Sequence, residues 1–314
     1  MVLVIGATGF LGTAVCEMLH KRGIPHVKFG HNEEGAKYLF DLEKEGSLER
    51  CIDESNEHID TIINCVAFSG GLKFAMSSPA ELYNKNMKMI LNLYEGAKNR
   101  GIERIINPIS NCAYPAKARL FNEDEFWDGP LHESVLVYGS SRKSSYIASY
   151  AYCKQYNIST TNLILSNLYG KGDHYSEEKS HALGAAMRKT YDALVGDKPE
   201  VVIWGTGEPV REWLYIADAA DAMVSALNWY NETGYDLYNI GTGQGVSINY
   251  MYSLIAKFMG YHGTFVHDLT KPDGAWHKTV NGQTVRKKFG WGPSMTFESG
   301  VSVTVADFLS NILD

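Results

Sequence analysis

The chain has 314 residues, 45% of them hydrophobic and 21% charged, which marks an ordinary soluble globular protein long enough to bury a large core. A formal net charge of -7 argues against a protein that coats nucleic acid or an anionic membrane, and leaves room for a local basic pocket that takes one phosphorylated ligand. Cysteines at 16, 51, 65, 112 and 153 show neither CxxC spacing nor Cys/His clustering, so no metal site is expected and reduced thiols in the cytoplasm fit best.

The opening MVLVIGATGF lacks a basic leader and runs straight into a glycine-rich turn, so it reads as a buried strand rather than a signal peptide. Apolar runs elsewhere fall short of the roughly 20 residues that cross a bilayer. Strands are expected at Val2 to Ile5, His26 to Phe29, Thr61 to Cys65, Arg104 to Ile109 and Thr160 to Ser166. Helices are expected between them at Leu11 to Arg22, Pro79 to Arg100 and Ser140 to Gln155, the second with Leu82, Met89, Ile90, Leu93 and Tyr94 spaced for one buried face. This alternation predicts an α/β fold with a doubly wound parallel sheet. After residue 168 the rhythm changes. A charged loop precedes a helix from Ala182, strand-like pieces at Glu200 to Trp204 and Tyr238 to Ile240, and helices at Ile216 to Trp229 and Ile248 to Phe258. Residues 1–168 are therefore expected to form a dinucleotide-binding domain and 169–314 a smaller lobe, with the chain crossing between them.

Glycines at 6, 9 and 12 follow the first strand and open a helix. Gly6 permits the tight turn, Gly9 admits a pyrophosphate close to the backbone, and Gly12 lets the helix pack on the strand, so Gly6, Thr8, Gly9, Phe10, Leu11 and Gly12 form the predicted phosphate-binding turn. An acidic residue after the second strand would accept from a free ribose 2'-hydroxyl, but the sequence reads Gly30, His31, Asn32 before Glu33. The missing acid favours NADP(H), and the missing arginine leaves NAD(H) open. In YLFDL, Asp41 followed by Leu42 either receives the adenine amino group or caps its own loop. Ala67, after a strand ending NCVA, leaves room for the dinucleotide.

Together with this turn, SNCAYP at 110–115, Tyr138 with a basic residue four places on, SNLYGKGD at 166–173, SHALGAAMRK at 180–189, VVIWGTGEPVREWLYIADAADA at 201–222 and KPDG at 271–274 resemble the extended short-chain dehydrogenase/reductase superfamily. The resemblance runs essentially the whole length and is strongest to the GDP-L-fucose synthase family, 3,5-epimerases and 4-reductases of GDP-4-keto-6-deoxymannose. It implies that Ser110 and Tyr138 act on the substrate carbonyl. A tyrosine protonates a developing oxyanion best when a nearby cation eases its ionisation, and residues i and i+4 share a helix face. Tyr138 taken alone is equally a buried helical aromatic.

Where the family has lysine this chain has Arg142. A guanidinium keeps the charge and can donate to ribose hydroxyls, but it stays protonated and cannot pass a proton on. Read as a weakened lysine, it predicts that Arg142→Lys raises any reductase rate. Lys143 is not expected to substitute, because one step along a helix turns the side chain by about 100°.

The resemblance further makes Cys112 and His181 the acid and base of an epimerisation, a thiol and an imidazole being types that titrate either side of neutrality. Each taken alone is also a buried thiol or a satisfied loop histidine. Asn111, where the family usually has a small hydroxyl residue, points to a changed substrate pocket. Lys189, Arg211 and Lys271 would bind a diphosphate and Trp204 its nucleoside, while Arg211 could instead pair with Glu212 or Glu208. Asn167 and Leu168 would line the nicotinamide end. The run HKTVNGQTVRKKFGW carries an extra residue and lacks the family's usual aspartate.

These readings imply an NADP(H)-dependent epimerase/reductase of a nucleotide-diphosphate 4-keto sugar, GDP-linked by resemblance. Two alternatives stay open: a nucleotide-sugar dehydrogenase or epimerase with retained NAD(P), and a non-catalytic protein that binds cofactor or nucleotide sugar. A homodimer is expected by resemblance, with tyrosines 146, 150, 152 and 156 supplying either pairing surface or core.

Overall fold

A computed structural model describes residues 1–31, 38–69, 77–116, 120–173, 175, 180 and 182–313. The first part runs β1 (Val2–Ile5), α1 (Phe10–Lys21), β2 (His26–Gly30), β3 (Tyr38–Leu39), α2 (Ser47–Ser55), β4 (Thr61–Asn64), α3 (Pro79–Asn99), β5 (Arg104–Ser110), β6 (Leu120–Phe121), α4 (Leu136–Tyr156) and β7 (Ser159–Leu165). It continues with β8 (Asn167–Tyr169), α5 (Ala182–Val195), β9 (Glu200–Trp204), β10 (Val210–Tyr215), α6 (Ile216–Ser225), β11 (Leu237–Ile240) and β12 (Gly245–Ser247). The last elements are α7 (Ile248–Met259), β13 (Thr264–Asp268), β14 (His277–Val280), α8 (Gln283–Phe289) and α9 (Phe297–Leu313).

Seven parallel strands form the main sheet in the order β11-β7-β5-β4-β1-β2-β3. The strand order reverses at β1, which pairs with β2 on one side and β4 on the other, so a crevice opens at the carboxyl ends of these strands. Side chains alternate across the sheet. Val4, Ile63 and Ile106 pack on one face with Val15 and Leu19 of α1 and Met223 of α6, and Leu3, Ile5, Ile62 and Ile105 pack on the other with Leu93 and Tyr94 of α3. The last strand, β11, comes from beyond residue 168. A second sheet runs β12-β10-β14-β6, with β8 joined to β10, and β13 pairs with β9.

The helix carrying Tyr138 starts at Leu136, four residues before the expected Ser140. Its buried positions are Gly139, Ser141, Arg142, Ser145 and Ser149, small or polar residues that do not show in a hydrophobic pattern. What seats it is a line of amides inside the sheet. Asn64 donates to Asn107 (3.1 Å), Asn107 donates to Asn162 (2.9 Å) and to Ser145 (3.0 Å), and Asn162 donates to Ser149 (3.0 Å). Because each group is paired, the network fixes α4 against β4, β5 and β7 without an unsatisfied buried amide. Of the four tyrosines, Tyr146 packs edge-on to Phe126 and Tyr152 packs on Tyr94, while Tyr150 and Tyr156 are exposed.

Candidate active site

Gly6 ends β1 in the left-handed region (φ 75°), and a Cβ there would lie 2.9 Å from the Cys65 carbonyl. At Gly12 a Cβ would lie 2.0 Å from Gly6 O, so only glycine lets α1 start this close to the strand. Gly9 caps α1 with no side-chain bond, and the first turn carries no acidic residue. That leaves the amino end of α1 suited to an anion. Thr8 and Phe10 are partly exposed along the turn, and Leu11 packs towards the core on the α1 face of the sheet and towards a second core that includes Tyr169 and Trp213. Ala67 is exposed beyond β4. Asn32 and Glu33, where cofactor choice was expected, lie outside the described residues. Asp41 accepts from the Glu43 amide (3.1 Å) and pairs with Lys44 (3.4 Å), which is the loop-capping arrangement. The Leu42 side chain is core, and its carbonyl accepts from Asn92 (2.8 Å).

Ser110 closes β5, and its Oγ accepts from the Cys112 amide (3.2 Å), capping a single turn at Asn111–Ala113. Helix α4 passes so close to this turn that a Cβ on Gly139 would lie 2.4 Å from Cys112 O. Tyr138 is thereby placed next to Cys112. Burial pushes the Tyr138 phenol up, the Arg142 charge pulls it back, and Cys112 pushes it further up, with a raised value as the net result. The Arg142 guanidinium lies 5.2 Å from the Tyr138 ring centre and donates from Nη2 to Asn86 Oδ1 at 2.5 Å. Lys143 turns to another face as expected, donating to Phe126 O (2.6 Å) beside the rings of Phe126 and Trp127. Asn111 is 1% exposed, and its Nδ2 has no partner among the described residues. His181 lies outside the described residues.

A cationic surface adjoins this cluster. Lys189 on α5 and Lys271 after β13 hold their Nζ atoms 5.0 and 5.6 Å from the ring centre of Trp204, which is half exposed at the end of β9. Arg211 on β10 donates to the carbonyls of Val210 (2.9 Å) and Asp273 (3.4 Å), and burial pulls its pKa down. Pairing of Arg211 with Glu212 is not what the structure holds. Neighbours on a strand point to opposite faces, and the buried Glu212 carboxylate instead accepts from the amides of Thr242, Gly243 (3.1 Å) and Val280 (2.7 Å). Glu208 accepts from Asn249 (2.9 Å). Asn167 donates to Glu212 O (2.8 Å), and Leu168 packs behind it.

Two site residues were missed in the sequence. Lys278 on β14 stands opposite Arg211 in the strand register and donates to Cys112 Sγ at 3.7 Å, so it joins the cationic surface to the Ser110 turn. Nothing in the run HKTVNG marked it. Asn86 did leave a signal: it is a polar residue within the apolar stripe of α3, between Leu82 and Met89.

The model of the NAD dependent epimerase/dehydratase family matches residues 2–241. GDP-L-fucose synthase 1 of Arabidopsis thaliana is 30% identical over 321 residues, covering 99% of this chain and 94% of that one. GDP-L-colitose synthase of Yersinia pseudotuberculosis is 34% identical over 251 residues, covering 79% of this chain and 81% of its own. Among solved structures, a GDP-L-fucose synthetase from Naegleria fowleri bound to NADP superposes with a TM-score of 0.86 at 23% identity, covering 99% of this chain and 94% of that one. With a glycine turn at a reversal of strand order and these similarities along its length, the chain belongs to the NAD-dependent epimerase/dehydratase family.

Proposed function

We propose that the protein is an NADP(H)-dependent epimerase and reductase of a GDP-linked 4-keto sugar. The observation that carries this is the meeting of two groups at one place: Tyr138, Arg142, Ser110 and Cys112 around the β5 turn, and the cations Arg211 and Lys278 on adjoining strands. The first group suits ketone chemistry and the second a diphosphate. The names of the relatives, GDP-L-fucose and GDP-L-colitose synthase, and the NADP in the Naegleria structure support the substrate and cofactor classes.

The amino end of α1 would hold the pyrophosphate of the cofactor, whose chemistry when bound is delivery of hydride to the ketone carbon. Ser110 would donate to the ketone oxygen and Tyr138 would give it a proton as the C–H bond forms. Arg142 would hold the cofactor ribose and keep a positive charge beside the phenol. Cys112 and His181 would exchange the protons on the carbons flanking the ketone. Lys189, Arg211 and Lys271 would bind the diphosphate, with Trp204 against the nucleoside and Asn111 shaping the sugar pocket. In this reading residues 1–168 chiefly serve the dinucleotide and 169–314 the nucleotide sugar.

Incubation with GDP-4-keto-6-deoxymannose and NADPH in deuterated water tests it. Loss of reduced-nicotinamide absorbance together with deuterium beside the ketone is the expected result. Deuterium uptake without NADPH loss would leave an epimerase, and neither signal would leave a binding protein or another sugar.

A homodimer is part of the proposal. Tyr83 and Leu91 of α3 and Ile147 and Tyr150 of α4 are 46 to 53% exposed on helices that pack side by side, an apolar surface of the kind that pairs. Sedimentation velocity is expected to give a dimer that Leu91→Glu with Ile147→Glu converts to monomer, and a monomeric wild type would refute it. Five free cysteines support a cytoplasmic protein, which cell fractionation would test. Among the described residues no helix is long and apolar enough to cross a membrane.

A further inference from the structure

Glu212 has no exposed surface and stands where β10 changes partners. One residue before it, Arg211 is in register with Lys278 of β14, and one residue after it, Trp213 is in register with Asn167 of β8. The Glu212 carbonyl accepts from Asn167 Nδ2 (2.8 Å), and its carboxylate reaches two further segments. Oε2 accepts from the amide of Val280 (2.7 Å), two residues beyond Lys278, while Oε1 accepts from the amides of Thr242 and Gly243 (3.1 Å) and from Thr242 Oγ1 (3.2 Å). Thr242 and Gly243 follow β11, the edge of the main sheet, whereas Val280 ends β14 of the second sheet. Gly241 makes room for the carboxylate, since a Cβ there would lie 2.2 Å from Glu212 Oε1.

One buried carboxylate thus ties the two sheets together beside the cation pair. Burial pushes its pKa up, and the amides of Val280, Gly243 and Thr242 pull it back without cancelling the rise. Stability alone would be served as well by apolar packing at such a place. What directed bonds from one rigid group add is a fixed spacing between the segments that donate to it.

We infer that Glu212 is the positioning residue of the diphosphate grip: through the Val280 amide it sets where β14 stands against β10, and so where the Lys278 ammonium lies relative to the Arg211 guanidinium. Glu212 and Arg211 point to opposite faces of β10, so Glu212 acts through its neighbours and not on the ligand. Lys278 also donates to Cys112 Sγ at 3.7 Å, and the same bond therefore relates the grip to the turn that carries Ser110. The inference rests on the reading of Arg211 and Lys278 as diphosphate ligands and on no particular sugar.

The test is a double-mutant cycle read by calorimetric titration with GDP, with NADPH fluorescence measured in parallel. Glu212→Gln leaves one acceptor oxygen in place of two, so either Val280 or the 242–243 loop loses its partner. It is expected to raise the GDP Kd about tenfold when Lys278 is present and less than about threefold in a Lys278→Met background, where the place of β14 no longer matters to the ligand, with the NADPH Kd kept within about twofold. Equal losses of GDP affinity in both backgrounds, or a matching loss of NADPH affinity, would make Glu212 merely structural and overturn the inference. Because Glu212→Gln can cost folding, Glu212→Asp is the second variant. It keeps the charge and both oxygens but is one methylene too short to hold Val280 and the loop together, and the same split is expected, with GDP affinity reduced at least about threefold and NADPH affinity kept. GDP binding by Glu212→Asp at the wild-type Kd would again refute the positioning role. If wild type binds GDP and the cycle is additive, this inference fails alone. If wild type binds NADPH but not GDP, the reading of Arg211 and Lys278 fails and takes the inference with it.

Discussion

Replacing Tyr138 by phenylalanine is expected to lower NADPH-driven reduction of the ketone by about 10²–10⁴-fold, the usual worth of a positioned proton donor, while NADPH affinity changes little. The effect belongs to kcat, because the proton is needed only as the oxyanion forms. The sign of the pH dependence follows from the surroundings of the phenol. Burial raises its pKa, Arg142 on its own helix lowers it, Cys112 on the facing turn raises it, and the net is above the ordinary tyrosine value. Lys278 and Arg211 stand behind Cys112. Reduction needs the neutral phenol, so the rate should be level through neutrality and fall only as pH rises through a value above about 10. Oxidation in reverse needs the phenolate and should rise with pH over the same range. Removing the charge with Arg142→Met should move both limbs upward. Stability runs the same way. A folded-state pKa above the unfolded one makes the contribution of Tyr138 complete below the unfolded value, and it is lost as pH rises through the folded value. Initial rates measured across the accessible pH range check this. A reductive rate that falls near neutrality in wild type and not in Tyr138→Phe would show that Arg142 outweighs burial and that the phenol is lowered rather than raised.

What could be read from the sequence divides by the range of the cause. The turn at Gly6–Gly12 was legible because its demands are local: one residue with positive φ, one position where any side chain meets the Gly6 carbonyl. Strands β1, β4 and β5 were legible because a parallel sheet covered on both faces needs unbroken apolar runs. Strands β10 and β14 were not, since charged residues interrupt their apolar pattern. Arg211 and Lys278 stand beside each other at the site, and Glu212 is buried behind them as an acceptor for three backbone amides. Helix α9 was passed over for a different reason. VSVTV has strand-forming composition, but Val301, Val305 and Phe308 meet the core at helical spacing, and packing overrides the propensity.

The candidate site shows the same division. Tyr138 and position 142 were fixed by their spacing on one helix, and Lys143 was rightly set aside by the same geometry. What the arginine does was not legible, because its partner lies 56 residues away on another helix. Asn86 appeared in sequence only as an interruption of an apolar stripe. A polar residue at a buried helical position must have its bonds met, a signal that lay outside the motifs and was passed over.

Cys112→Ala is expected to abolish deuterium uptake beside the ketone, by about 10²–10⁴-fold, with the fold and NADPH binding intact. The thiol is partly exposed, so its loss leaves no large cavity. Its place is set by the turn that carries Ser110: the Cys112 amide caps onto Ser110 Oγ, Gly139 packs on its carbonyl, and the Lys278 ammonium donates to its sulfur. A group so held, next to Tyr138, would be within reach of the carbon beside a ketone whose oxygen Ser110 and Tyr138 are proposed to hold. Cys112→Ser keeps the shape but offers a hydroxyl, a far weaker acid than a thiol, and should recover little of the exchange. The informative comparison is with a substrate already epimerised, which Cys112→Ala should reduce at close to the wild-type rate. Exchange and reduction would then be separable at a single residue, with NADPH consumption limited by epimerisation only when the unepimerised sugar is supplied. Exchange at the wild-type rate in Cys112→Ala would make the thiol a bystander, and the Lys278 contact would then be a matter of packing the β14 edge against the Ser110 turn.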